Sequence, residues 1–341
     1  MKKVLGMGNA LIDNLLLVEN EDLLREFALP KGSMQLIDTA RYCHIRQRTA
    51  QLAASRTTGG SACNTILAIA HLGGSPGLIG KVGFDDLGQT FAQACADSHV
   101  MPHLFHHDTL PTGVASTFIT PDGQRTFATY LGAAATLEAA ELDPRWFEGY
   151  DIFYIEGYLV QNHALIEAAV RHARQAGLTV CIDLASYNVV EAERDFFLQL
   201  LTQTDIVFAN EQEAEALTGS NRVGENLEYL AKLCRIAVLK VGKDGVWVRC
   251  GETQLHCPAR EVEKVVDTTA AGDYFSAGFL HAYTLGASPE ECAALGSLLA
   301  GHIVEVVGTA LPEATWQSIR NTLAAGLSVP SALSPGTTGK A

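Results

Sequence analysis

The chain is short of positive charge: 24 lysines and arginines stand against 38 aspartates and glutamates, a formal net charge of −14 over 341 residues. Its pI is near 5.2. A nucleic-acid partner calls for a concentrated basic face, so none is expected, and an anionic ligand has to be held by backbone dipoles, a few cations and a metal. Long apolar runs are also absent, so no membrane span is expected. The opening Met1-Lys2-Lys3-Val4-Leu5-Gly6 is interrupted too soon, by Gly8, Asn9 and Asp13, for a signal peptide. The eight cysteines (43, 63, 95, 181, 234, 250, 257 and 292) contain no C-x-x-C pair, in a chain too large to need stapling. Reduced thiols and a cytoplasmic location follow as expectations. No G-x-x-x-x-G-K-[ST] occurs, which excludes P-loop nucleotide chemistry. Gly6-Met7-Gly8 follows a strand-like run, but Leu11 stands where a dinucleotide fingerprint has its third glycine, and an oxidoreductase is set aside.

What is present is enough for a sizeable core, with 48% hydrophobic and 18% charged residues. Val4 to Met7, Ile152 to Ile155, Thr179 to Ile182, Ile206 to Phe208 and Ile236 to Leu239 read as buried strands. Helical periodicity lies between them, as in Ala164 to Gln175 and Leu227 to Leu233. Alternating strands and helices predict an α/β fold, a mostly parallel sheet flanked by helices. Residues 14–38 and 112–131 break the rhythm. The second reads as a hairpin turning at Pro121-Asp122-Gly123, and strands inserted at the edge of an α/β domain are candidates for a lid. One domain is expected over 1–328, with a disordered tail at 329–341.

The most informative segment runs from Asp267 through Thr269-Ala270-Ala271-Gly272-Asp273 to Phe279. Small residues lead into an apolar helix, leaving the N–H groups of Ala270 to Asp273 unpaired where an anion can approach. Such a turn suits a transferring phosphoryl group, and Asp273 at its mouth is placed to take a hydroxyl proton. The plainer alternative is that Asp273 only caps the helix. In Gly59-Gly60-Ser61-Ala62-Cys63-Asn64, the glycines let a ligand approach the backbone. Asn64 offers a donor and an acceptor to a polyol, unless the stretch is only a turn capped by Ser61.

With Gly8-Asn9-Ala10-Leu11-Ile12-Asp13, these segments resemble the PfkB or ribokinase family of carbohydrate kinases over nearly the whole chain. Gly80-Lys81-Val82-Gly83-Phe84-Asp85-Asp86-Leu87-Gly88, Asn210-Glu211-Gln212-Glu213 and Lys240-Val241-Gly242-Lys243-Asp244-Gly245 fall in the same register. The resemblance implies a Rossmann-like core with a small β lid over an acceptor site. It makes Asp273 the catalytic base and Ala270, Ala271 and Gly272 an anion hole. Asn9, Asp13, Gly59, Gly60 and Asn64 fall around the acceptor. Asn210, Lys240, Gly242 and Gly245 fall on the ATP side, Glu213 orders Mg²⁺ through water, and Asp267 with Thr269 suggests a monovalent cation such as K⁺. Two positions depart from the family pattern. Ala270 stands for a usual glycine, and Lys240 for a frequent threonine, where it pairs with a phosphate or is simply solvated.

Other features have plain readings. His99, His103, His106 and His107 are crowded, but they open a strand assigned to the lid, which favours a structural role over a metal. Glu211, Glu213 and Glu215 fit an exposed helix face equally well. The function expected is transfer of the γ-phosphoryl group of ATP to a hydroxyl of a nucleoside or sugar, by a monomer or homodimer. The alternatives are a silent sensor on the same fold, or a kinase for free ribose, fructose or a keto-deoxy acid. The segments 8–13 and 29–38 look most like the adenosine-kinase branch, with Met34 where a polar side chain faces the base, and a thioether packs well on a flat ring.

Overall fold

The computed structural model describes residues 1–324; the tail expected at 329–341 lies outside them. The first strands are β1 (Val4–Met7), β2 (Leu11–Leu17), β3 (Met34–Leu36), β4 (Ala54–Gly59) and β5 (Gly77–Gly83). Then come β6 (Met101–His107), β7 (Gly113–Ile119), β8 (Arg125–Tyr130), β9 (Ile152–Glu156) and β10 (Thr179–Asp183). The last are β11 (Ile206–Asn210), β12 (Ile236–Lys240), β13 (Val246–Cys250) and β14 (Thr253–Cys257).

Nine strands form one sheet in the order β14-β13-β12-β11-β10-β9-β1-β5-β6, parallel from β12 to β6 and antiparallel only at the β13–β14 end. Helices cover both faces, which is why the central strands are apolar throughout rather than alternating. Successive residues still part to opposite sides. Ile152 and Tyr154 enter a core shared with helices Ser61–His71, Ala271–Thr284 and Pro289–Ile303. Phe153 and Ile155 enter a second core beneath helices His163–Gln175, Arg194–Leu201 and Val223–Leu233.

The other five strands make a second sheet in the order β3-β8-β7-β2-β4. The expected hairpin is β7–β8, while the expected segment 14–38 is only part of the remainder: the sheet begins at Leu11 and gains β4 as an edge. Helix Thr39–Arg48 packs on one face, where Leu16, Phe118, Ala128, Tyr42 and Ile45 are buried together.

The histidine-bearing strand is a correction. β6 pairs parallel with β5 at the edge of the large sheet and is not a lid strand. Its position between a helix and the next crossover follows the α/β rhythm rather than breaking it. His103 stacks on Trp146, His106 stacks on Phe84, and His107 accepts the N–H groups of Thr109 and Leu110.

Candidate active site

Parallel strands bring their carboxyl ends to one edge, and here five neighbouring ones, β12 to β1, end on or just before a polar residue. Asn9 follows β1, Glu156 ends β9, Asp183 ends β10, Asn210 ends β11 and Lys240 ends β12. The register sets Glu156 beside Asp183 and Asn210 beside Lys240. Glu156 and Asp183 were not singled out from the sequence; the available signal was an acidic residue closing an otherwise apolar strand.

Helix Ala271–Thr284 begins above this edge. Ala270 at its N-cap adopts the left-handed conformation, φ 61°, so the glycine-like geometry is kept despite the side chain. The expected row of free N–H groups is shorter by one: Ala271 donates to the Thr268 carbonyl at 3.2 Å. Asp273 does not cap the helix. Its carboxylate turns to helix Ser61–His71, where Ser61 Oγ donates to Oδ1 at 2.6 Å and Asn64 Nδ2 to Oδ2 at 2.9 Å. Ser61 is likewise no cap; Gly60 holds that place with φ 101°, and a Cβ there would strike the Asn9 carbonyl. Burial pushes Asp273 up to about 6, with the Ser61 and Asn64 bonds restraining the shift.

On one side of Asp273 lies the small sheet. Asp13 on β2 accepts from Thr309 Oγ1 at 3.3 Å and packs so closely on Gly59 that a Cβ there would overlap its carboxylate. Burial, with the Asp273 charge adding to it and the Thr309 hydroxyl opposing, raises Asp13 to about 7. Strand register puts Leu15, Thr117, Phe127 and Met34 in one row on the same face, next to Asp13, Ala115, Thr129 and Leu36. Leu17, Met34 and Leu36 on this face are more than half exposed.

On the other side is a cavity of about 710 Å³ that brings together Asn210, Lys240, Gly242 and Gly245 with Ala271 and Gly272. Lys240 is not solvated: Nζ lies 2.8 Å from Asp183 Oδ2, and a Cβ on Gly272 would sit 3.1 Å from it. Burial works against its charge, but Asp183 and Glu213 outweigh it and the amine stays above its ordinary value. Asn210 and Glu213 close a capping box: Asn210 Nδ2 donates to Oε1 at 2.6 Å and its backbone N–H to Oε2 at 2.8 Å. Glu213 is buried, unlike Glu211 and Glu215, so the exposed-face reading fails for it. Burial, then the charge of Asp183, moves it up to about 7.

Asn9 gives its amide to Glu156 Oε1 at 2.6 Å, and Glu156 Oε2 accepts the Ala62 N–H at 3.0 Å. Glu156 thus ties the loop after β1 to the start of helix Ser61–His71, and its buried carboxyl rises to about 7. A raised carboxyl contributes stability that is complete below its unfolded value near 4.5 and is lost as pH rises through 7. Glu156→Gln removes that proton linkage. The stability of the wild type relative to Glu156→Gln is expected to fall by up to about 1.4 kcal/mol per pH unit across this window. Urea unfolding of both proteins at several pH values reads it, and a pH-independent difference would refute the linkage.

At the place expected for a monovalent cation, Asp267 has protein partners. Asp267 pairs with Arg125, which reaches across from β8, and also accepts the N–H groups of Thr269 and Gly308. A guanidinium from the small sheet thus pairs with the carboxylate expected to face the cation. Arg125 read from the sequence only as part of a hairpin.

The model of the pfkB family of carbohydrate kinases matches residues 32–316. The chain belongs to that family. It is accordingly a phosphotransferase with an alcohol group as acceptor, moving phosphate from ATP to a hydroxyl of a nucleoside or sugar. An aminoimidazole riboside kinase of Salmonella typhimurium is 31% identical over 234 residues, 65% of this chain and 72% of the relative. The adenosine kinase of Sinorhizobium meliloti superposes with a TM-score of 0.85 at 34% identity, covering 94% of this chain and 99% of that one. A probable sugar kinase of Rhizobium etli has the same score at 32% identity, with 94% and 98% covered. These neighbours bear out the α/β ribokinase-like fold. No helix among the described residues is long and apolar enough to cross a membrane.

Proposed function

We propose that this family member is a nucleoside kinase, with Asp273 as general base. The observation that carries the substrate class is the apolar face of the small sheet beside Asp13. Leu15, Leu17, Met34, Leu36 and Phe127 suit a flat heterocycle, whereas a free sugar presents hydroxyls in every direction. The relatives named for adenosine and for a riboside agree with it.

In this reading the small sheet is the lid, and the ribose hydroxyls bind Asp13 and the free pole of Asn64. Asp273 takes the hydroxyl proton as its oxygen attacks the γ-phosphorus; the new O–P bond forms as the bond to ADP breaks. The N–H groups of Ala270 and Gly272, with Lys240, face the charge on the transferring group. ATP lies in the 710 Å³ cavity along Asn210, Gly242 and Gly245.

Glu213 and Asp183 are two buried carboxylates around one lysine, and once Glu213 is ionised, above about pH 7, the excess of negative charge fits a hard divalent cation. Bound Mg²⁺ would neutralise charge on the β- and γ-phosphates, and Glu213 would hold it through water. Glu213→Gln is expected to raise the Mg²⁺ concentration needed for half-maximal rate by about tenfold without moving the acceptor KM. A change in acceptor KM alone would remove Glu213 from this role. With Arg125 on Asp267, exchange of K⁺ for Na⁺ at constant ionic strength is expected to leave kcat unchanged. A clear K⁺ requirement would contradict that assignment.

ATP consumption against a panel of nucleosides, pentoses, hexoses and keto-deoxy acids tests the whole proposal. Turnover with a nucleoside and not with the sugars is expected. Turnover with a free sugar alone would overturn the substrate class, and none with any acceptor would favour a sensor.

A further inference from the structure

The small sheet has a second side, and a second cavity lies behind it. Its volume is about 330 Å³, in the range of small-molecule sites. One wall is the face of β2 and β7 that points away from Asp13, carrying Asn14, Leu16, Val114 and Ser116. Helix Thr39–Arg48 and the turn after it supply Tyr42, Arg46 and Leu52. The third wall belongs to the large domain: Asp85, Asp86 and Leu87, where helix Asp86–Asp97 begins. None of these residues lines the nucleotide cavity.

The polar groups of this cavity are incompletely used. Ser116 is only 3% exposed, lines the space, and its hydroxyl makes no hydrogen bond among the described residues. The hydroxyl of Tyr42, a residue 5% exposed, is likewise without a partner among them. Both hydroxyls are open to the cavity rather than sealed in the core, so a ligand there could take up the hydrogen bonds that solvent otherwise supplies. Arg46 and Arg56 line the same space and make no ion pair with a carboxylate among the described residues. Arg56 has only a 3.4 Å contact to Asn14 Oδ1. The carboxylate of Asp85 accepts from Gly88 and Thr112 and also feels the Arg46 charge, so an anion there shares Arg46 with Asp85, while Asp86 lies at the exposed rim. Leu16, Leu52, Leu87 and Val114 complete an apolar floor.

We propose that this cavity is a binding site for a small organic anion. Its phosphate or carboxylate head pairs with Arg46 and Arg56, its apolar body lies on Leu16 and Val114, and Ser116 and Tyr42 hydrogen-bond to it.

Phenyl phosphate and benzoate are the simplest probes, each one ring and one anionic head. Calorimetric titration of the full chain is expected to show saturable binding of at least one, with one site outside the nucleotide cavity; the tighter probe identifies the head. Affinity is expected to drop at least about tenfold in Arg46→Ala/Arg56→Ala, as loss of charge-assisted contacts implies. It should fall also in Ser116→Val, which removes the hydroxyl and fills the space, and persist in Lys240→Met. Binding that is equal in the double variant, lost in Lys240→Met, or absent for both probes would overturn the proposal. The comparison of variants does not depend on which acceptor is phosphorylated.

Discussion

Asp273→Asn is expected to lower kcat on the order of 100-fold or more while MgATP affinity stays nearly unchanged. The carboxylate accepts hydrogen bonds from Ser61 Oγ and Asn64 Nδ2, so it takes the hydroxyl proton from a fixed position. An asparagine there must turn its NH₂ either to the Asn64 amide or to Ser61 Oγ, whose hydroxyl would have to switch from donating to accepting; both changes fall on the acceptor side and not in the nucleotide cavity. The wild-type rate carries a second signature. With Asp273 raised to about 6, the base is ionised above that pH, and kcat/KM for the acceptor should fall as pH drops through it. Steady-state kinetics over pH, with nucleotide binding measured separately, decide both points. Near-normal turnover of the variant would remove Asp273 from the mechanism.

Asp13→Ala is expected to raise the acceptor KM at least about tenfold and to increase ATP hydrolysed per acceptor phosphorylated. Above about pH 7, where Asp13 is ionised, charge-assisted hydrogen bonds to a pair of hydroxyls contribute roughly 1.5 to 3 kcal/mol each, so tenfold is the low end there. The uncoupling follows from position. Asp13 lies on the small sheet, yet it touches Thr309 of the large domain, and an acceptor bound to it bridges the two. Water competes for the phosphoryl group whenever that closure is incomplete. Varying acceptor at saturating MgATP, with free phosphate and product both measured, is the test. An unchanged KM with tight coupling would sink the contact and the closure together.

Much of this was legible from the chain alone, for identifiable reasons. Central strands such as Ile206–Asn210 are buried on both faces and stand out as apolar runs, and Pro121-Asp122-Gly123 marks its hairpin without help. The carboxylate of Asp273 at a small-residue turn is a local pattern. Partnerships across the fold are not: Ser61 and Asp273 lie 212 residues apart, and nothing near Ser61 distinguishes a donor to a distant carboxylate from a helix cap. β4, Ala-Ser-Arg-Thr-Thr-Gly, has no alternation to read, because an edge strand with an exposed start needs no apolar face. Arg125 read only as part of a hairpin because its partner, Asp267, arrives only when the sheets dock.

The small sheet is assembled from two separate lengths of chain, 11–59 and 113–130, with β5 and β6 returning to the large sheet between them. The backbone therefore passes between the sheets four times, and two of those passages, at 8–10 and 59–60, contain Asn9, Gly59 and Gly60. Grafting a cover from a relative to change acceptor range must transplant both lengths at once, since β2 and β7 are hydrogen-bonded neighbours along their whole register. A chimera that carries only one would join two strands selected in different proteins, through the very residues proposed to line the acceptor pocket. Point changes on Leu15, Met34 and Phe127 leave those junctions intact, which makes them the safer route to altered selectivity.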